Sequence, residues 1–210
     1  MPIRQDMLPE LVEAGEKIGV VSNKASLETG ILEGTPVIAS GSDKACEVLG
    51  TGCIDEKMAN FSYGSLATVN VSSSKYQEAL RFHPAYPGVI PSTYNIEMML
   101  QRGFWMISWF KNEFGDIERQ LAKTKNTSAE TLLNQLLQSV SAGSDGLMLQ
   151  PYWSPSNGDG DETRGAIIGF NELHTRAHMY RAMIEGIVYA MRECKEIIEK
   201  RTGNKFTKIV

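Results

Sequence analysis

Apolar residues in this chain fall into short runs with two different periods. The run Pro36-Val37-Ile38-Ala39 follows a Gly34-Thr35-Pro36 turn and predicts a buried strand over residues 37–40. Leu66-Ala67-Thr68-Val69-Asn70-Val71 is rich in β-branched residues and predicts a second strand. Residues 146–151 and 165–170 predict two more, the latter with glycines where other backbone comes close. The helical period is clearest over 175–200, where Met179, Ala182, Met183, Gly186, Val188 and Tyr189 share the core-facing register and Gly203 ends the element. Residues 98–114 place Leu100, Phe104, Ile107 and Phe110 at helical spacings and predict an amphipathic helix. Ser128 is placed to cap a helix running to Val140. A small helix is predicted over residues 23–29, ended by Gly30, and another over 43–49, ended by Gly50 and Gly52. Pro84, Pro87 and Pro91 restrict residues 82–94 to edge strands or turns. Residues 154–163 form a Gly/Asp/Ser/Pro loop long enough to suggest a functional one, and residues 205–210 are strand-like.

Composition narrows the class without naming a function. The 210 residues suffice for one large domain or for pieces of two. A hydrophobic share of 42% and a charged share of 22% are those of an ordinary globular protein. A net charge of −4, with no block of like charges, argues against a nucleic-acid partner, which would need a basic patch. No apolar run reaches the roughly 18 residues of a membrane span. Met1-Pro2-Ile3-Arg4-Gln5-Asp6 offers no signal-peptide core. Cys46, Cys53 and Cys194 make neither a metal spacing nor an even disulfide set, and read as reduced thiols of a cytoplasmic protein.

Two turns carry candidate chemistry. In Gly41-Ser42-Asp43-Lys44 a carboxylate follows a Gly/Ser turn at the end of an apolar run, an arrangement that can aim it into a cleft. The plainer reading is an aspartate capping the helix that follows. In Tyr63-Gly64-Ser65, glycine lets backbone approach an anion closely and serine adds a hydroxyl. Here the plainer reading is a hairpin turn. Together, a carboxylate and a small hydroxyl-bearing turn are the least that phosphoryl transfer to an alcohol requires. His174 and His178 have the i, i+4 spacing of two metal ligands but no third, so no metal site is assigned. Arg181 and Glu185 read as a structural pair.

Four stretches resemble the FGGY family of carbohydrate kinases. Gly34 to Asp43, with Leu49-Gly50-Thr51-Gly52, is similar to the turn bearing that family's catalytic aspartate. Ser62-Tyr63-Gly64-Ser65-Leu66-Ala67 is similar to its second phosphate loop, and residues 103–110 to its helix near the nucleotide. The fourth and most specific runs from Gly165-Ala166-Ile167-Ile168-Gly169-Phe170 through His178-Met179-Tyr180-Arg181-Ala182-Met183-Ile184-Glu185-Gly186, like the C-terminal signature. Ser65 stands where threonine is usual and keeps the hydroxyl; Phe170 replaces a smaller aliphatic. Gly103 lies one place out from the expected glycine, and residues 151–155 lack the Gly-Glu-Arg-Thr-Pro pattern of many xylulose kinases.

The resemblance implies an α/β chain of the actin-like ATPase (ribonuclease H-like) fold, a mixed sheet with flanking helices, truncated at both ends. Residues 1–53 would be the tail of the sugar-binding domain and 54–210 most of the nucleotide-side domain. It implies ATP and Mg²⁺ as cofactors, and a small sugar or polyol as acceptor, a pentulose by family frequency. Asp43 would be the general base, with Ser42 beside it at the substrate, and Gly64, Ser65 and Gly103 would contact the nucleotide. No membrane or nucleic-acid partner is implied, and a homodimer is compatible. The alternative is a non-catalytic remnant of a sugar kinase that serves in binding or assembly.

Overall fold

In the computed structural model of the chain, residues 4–154 and 162–210 are described. Strand β1 (Lys17–Val20) pairs antiparallel with β2 (Pro36–Ile38), and helix α1 (Asn23–Thr29) lies between them. The caps explain α1: Ser22 Oγ accepts from the Ala25 N–H at 3.2 Å, and Gly30 closes the helix at φ 78°. Helix α2 (Asp43–Gly50) follows.

Next come β3 (Met58–Tyr63), β4 (Ala67–Ser73), β5 (Tyr86–Pro87) and β6 (Tyr94–Leu100). With β9 (Lys208–Ile209) they form one sheet in the order β5-β6-β4-β3-β9. Its pairs are antiparallel except β3–β9, which is parallel, so the sheet is mixed. Helices α3 (Trp105–Phe114), α4 (Asp116–Lys125) and α5 (Ala129–Leu136) come after β6, and the hairpin of β7 (Met148–Gln150) and β8 (Ala166–Ile168) precedes the long α6 (Arg176–Thr202).

The core sits between α6 and one face of the sheet. Tyr180, Met183, Ile187 and Met191 of α6 are fully buried in one cluster with Val69, Val71, Ile96 and Leu100. Side chains alternate across a strand, so the other face of β4 carries Thr68, Asn70 and Ser72. Register sets Asn60 of β3 and Glu97 of β6 beside Asn70, and Asn95 beside Ser72. Helix α2 covers part of this polar face with Ala45 and Val48.

Several expectations change. Residues 37–40 are not a buried strand: β2 is exposed throughout and pairs only with β1 among the described residues. Residues 98–114 are not one helix. Met98 and Leu100 finish β6, facing the core at the strand period, and α3 starts only at Trp105. In α6 the buried register runs through Ile187, while Val188 and Tyr189 are exposed. The helix begun at Ser128 ends at Leu136 and tightens into a 3-10 turn through Ser139. Of the loop at 154–163, residues 155–161 lie outside the described residues.

Candidate functional site

Ser42 is the N-cap of α2. Its Oγ accepts from the Ala45 N–H at 3.1 Å, which uses one lone pair and leaves the O–H able to donate, and Ser42 lines the same cavity as Asp43. The bond to Ala45 relieves Asp43 of the capping task. Asp43 sits in the first turn, where Oδ1 accepts from the Lys44 N–H at 2.7 Å, and it lines a cavity of about 720 Å³.

Three residues that sequence reasoning did not single out share that region. Glu97 projects from the polar face of β6, and burial raises its carboxyl above the usual carboxylate range, partly offset by Lys44. The Tyr86 hydroxyl donates to Asn70 Oδ1 at 3.1 Å; burial, together with the charge of Glu97, pushes its phenol well above the ordinary value. Lys44 donates from Nζ to Glu47 Oε2 at 2.7 Å and to Ser62 Oγ at 3.2 Å, tying α2 to β3. Burial alone would raise the Glu47 carboxyl, but its bonds to Lys44 and Ser62 outweigh this and hold it low. A signal for Glu97 was present: one acid within the apolar run of Ile96, Met98, Met99 and Leu100.

The second candidate group forms a separate corner. Gly64, Ser65 and Leu66 make the exposed hairpin turn between β3 and β4, as the plainer reading expected. The Phe104 N–H donates to the Gly64 carbonyl at 3.1 Å, and the Trp105 N–H to that of Ser65 at 3.5 Å. These bonds use carbonyls, not the N–H groups that would meet a phosphate. Gly103 lies against the same hairpin, where a Cβ would come 2.4 Å from the Ala67 nitrogen, so close packing alone requires glycine there. The structure thus brings Gly64, Ser65 and Gly103 together. Asp43 lines the cavity, whose lining does not include Gly64, Ser65 or Gly103, while Lys44 next to it reaches Ser62 of β3.

The histidines are structural. His178 Nδ1 accepts the Thr175 N–H at 3.1 Å in a capping box, and its Nε2 lies 3.1 Å from Asp145 Oδ2. Arg181 pairs with Glu185 at 2.8 Å. Among the described residues no group of three or more His, Cys, Asp or Glu side chains is arranged to hold a metal, and no helix is long and apolar enough to cross a membrane.

The mixed sheet, with α6 packed on one face and α2 on part of the other, has the actin-like ATPase fold. Solved structures share it: a ligand-bound xylulose kinase from Lactobacillus acidophilus matches with a TM-score of 0.80 at 19% identity, over 99% of this chain and 40% of that one. A gluconate kinase from the same organism matches at 0.79 and 18%, over 99% of this chain and 41% of that one. The family model for the FGGY family of carbohydrate kinases, C-terminal domain, matches residues 59–210, and that for the N-terminal domain matches residues 1–50. The chain belongs to the FGGY family of carbohydrate kinases. Among curated relatives, the xylulose kinase of Lactococcus lactis is 30% identical over 214 residues, covering 99% of this chain. The chain spans about 40% of the length of that relative.

Proposed function

We propose that this chain carries the catalytic carboxylate of an ATP-dependent kinase that phosphorylates a hydroxyl of a small sugar or polyol. The observation that carries the reading is Asp43 itself: Ser42 takes the cap, and the carboxylate faces a cavity. Asp43 would accept the proton of the acceptor hydroxyl as that oxygen attacks the γ-phosphorus. When bound, ATP with Mg²⁺ supplies the phosphoryl group and neutralises charge on it. The residues fit such a pair. Mg²⁺ is commonly held by phosphates and one or two carboxylates, which needs no three-residue cage, and the cavity offers Asp43 and Glu97. Ser65 would present its hydroxyl, and Gly64 and Ser65 their N–H groups, to phosphate. Gly103 would sit beside the nucleotide as well as against Ala67.

The acceptor in this reading is a pentulose, supported by the xylulose kinase of Lactococcus lactis. Residues 1–53 would belong to the sugar-side domain and 54–210 to the nucleotide-side domain. The alternative reading is a non-catalytic binding or assembly module derived from a sugar kinase.

The test is ADP release by the intact protein with Mg²⁺ and a panel of ketoses and polyols, in wild type and Asp43→Asn. Sugar-dependent turnover that falls by a factor of about 10² or more in the variant is expected. Near-wild-type turnover in Asp43→Asn would remove Asp43 as the base, and no turnover with any sugar would favour the module.

A further inference from the structure

We infer that Lys44 is a positioning residue for Asp43: its ammonium fastens the first turn of α2 to Ser62 of β3 and so holds the peptide whose N–H aims the proposed base. The inference deepens the kinase reading, and its consequence for turnover rests on that reading.

For the helix alone, lysine is the wrong residue at this place. The free N–H groups of a helix N-terminus carry partial positive charge, and a cation there is unfavourable. Lys44 nevertheless stands in the first turn of α2, next to Asp43. Its Nζ donates to Ser62 Oγ of β3 at 3.2 Å and to Glu47 Oε2 at 2.7 Å. The Lys44 side chain is 24% exposed, so these bonds are made mostly out of water. A helix of eight residues does not persist in water by itself and takes its position from what it touches. The buried Ala45 and Val48 hold α2 down on the sheet. Two polar bonds set its place along β3: Lys44 to Ser62 near its start, and Asn60 Nδ2 to Thr51 Oγ1 at 3.1 Å at its C-cap.

The first of these two bonds lies beside the proposed base. Asp43 Oδ1 accepts the N–H of Lys44 itself at 2.7 Å, so the peptide that orients the carboxylate belongs to the residue whose side chain is fastened to β3. That bond occupies one carboxylate oxygen, and the other has no protein donor among the described residues. Lys44 also manages charge. Asp43 and Glu47 are four residues apart on one helix face, where like charges repel. The ammonium of Lys44 draws the Glu47 carboxylate to itself and offsets its charge. Without it, Glu47 would be free to disturb the carboxylate that has to meet a hydroxyl. A part-exposed pair of this kind contributes little to stability. A displacement of about 1 Å at a reacting group costs about a hundredfold in rate, so the same tie weighs far more in turnover than in folding.

The test uses Lys44→Met, Lys44→Arg and Ser62→Ala in the intact protein, each alone and combined with Asp43→Asn, with D-xylulose and MgATP as substrates. Ser62→Ala removes a single oxygen and is expected to fold. Lys44→Met and Ser62→Ala should each lower kcat by about tenfold or more, with a smaller change in KM and little change in Tm. Lys44→Arg, which keeps the charge and the donors, should retain part of the lost kcat. In the Asp43→Asn background neither change should lower kcat further, because both act through Asp43. A loss that persists in that background would give Lys44 a direct part in the reaction, a loss that tracks Tm would make its role structural, and a wild-type kcat in Lys44→Met would leave it none; each overturns the inference. If wild type does not turn over D-xylulose, the kinase reading fails separately, and NMR of the residue 44 amide proton reads the geometry. The bond to the Asp43 carboxylate should hold that proton downfield, with Asp43→Ala marking its position without the bond. Ser62→Ala should move it more than halfway to that mark, and an unmoved proton would sink the assignment.

Discussion

Strand β4 is buried on both faces, yet the two faces are built differently. Ala67, Val69 and Val71 pack toward α6 in an apolar cluster, whereas Thr68, Asn70 and Ser72 lie on the side partly covered by α2. A strand covered on both sides ordinarily reads as a continuous apolar run. Here every second residue is polar and has to be satisfied. Asn70 Nδ2 donates to Thr68 Oγ1 at 2.9 Å, Tyr86 donates to Asn70, and Asn60 Nδ2 reaches Thr51 Oγ1 at 3.1 Å. One face gains stability from burial. The other gives some of it up to keep buried oxygens and amides on the side that carries Tyr86 and Glu97. Substitutions on the two sides should therefore separate, one set moving stability and the other moving chemistry.

The largest separation is expected between Asp43→Asn and Met183→Ala. The first should reduce turnover by about 10² or more while barely shifting Tm. The second removes a fully buried side chain from the α6 face and should lower unfolding free energy by about 3 kcal/mol, read by urea denaturation, with KM for sugar and ATP unchanged. A Met183→Ala enzyme with altered KM but intact stability would mean the two faces are not independent.

A sharper contrast is in pH. Glu199, buried on α6, is bonded by Lys195, Lys205 and the Phe206 N–H. Burial alone would raise its carboxyl, but these partners outweigh it and hold the pKa at about 2, below the ordinary 4.5. A lowered folded pKa contributes stability above 4.5 that is lost as pH falls toward 2. Glu199→Gln should flatten that acid limb and cost about 2 kcal/mol at neutral pH. Glu97, on the polar face, is shifted the other way, so its contribution is present below 4.5 and lost as pH rises from there through its raised folded pKa. Glu97→Gln should remove that loss and leave Tm at neutral pH equal or higher. Guanidine or thermal melts across pH 2–8 would show the two limbs, and the same sign for both variants would contradict the contrast. The smallest effect is expected from Ser65→Ala. Ser65 is exposed, so stability should hold while KM for ATP rises by about three- to tenfold, the worth of one hydrogen bond. An unchanged KM would leave the turn as a hairpin and nothing more.

Where local chemistry decided the structure, the residues announced it. Ser22 and Gly30 bound α1 at the residues expected, Thr175 starts α6, and the polar turn at Gly64 is where it was read. The failures have a common cause in tertiary context. Met98, Leu100, Phe104 and Ile107 fit a helical spacing as well as a strand followed by a turn and a helix, and only the pairing of β6 with β4 resolves them. Strand β3 escaped notice although Asn60 and Ser62 alternate with Ala59, Phe61 and Tyr63, because the run is short, partly polar and leads straight into the Gly64 turn. Helix α4 was not anticipated because most of its residues are polar, with Glu118 buried against Arg176. At the site, Asp43 stood out because a turn and a cap surround it. Glu97 and Tyr86 come from the other side of the sheet's central pairings, and no spacing along the chain brings them to Asp43.

The edge of the sheet also has a consequence in time. Met58 of β3 pairs with Lys208 of β9, about 150 positions further along the chain, while β3, β4 and β6 pair with near neighbours. Long-range parallel pairing forms slowly because a large loop must close before any contact rewards it. The three-strand meander should therefore acquire protection first in pulse-labelled hydrogen exchange, and Ala59, Phe61 and Val210, whose backbone groups join across that last pairing, should be protected late. On the ribosome, the polar face that frames the proposed chemistry would be assembled well before the strand that seals its neighbour.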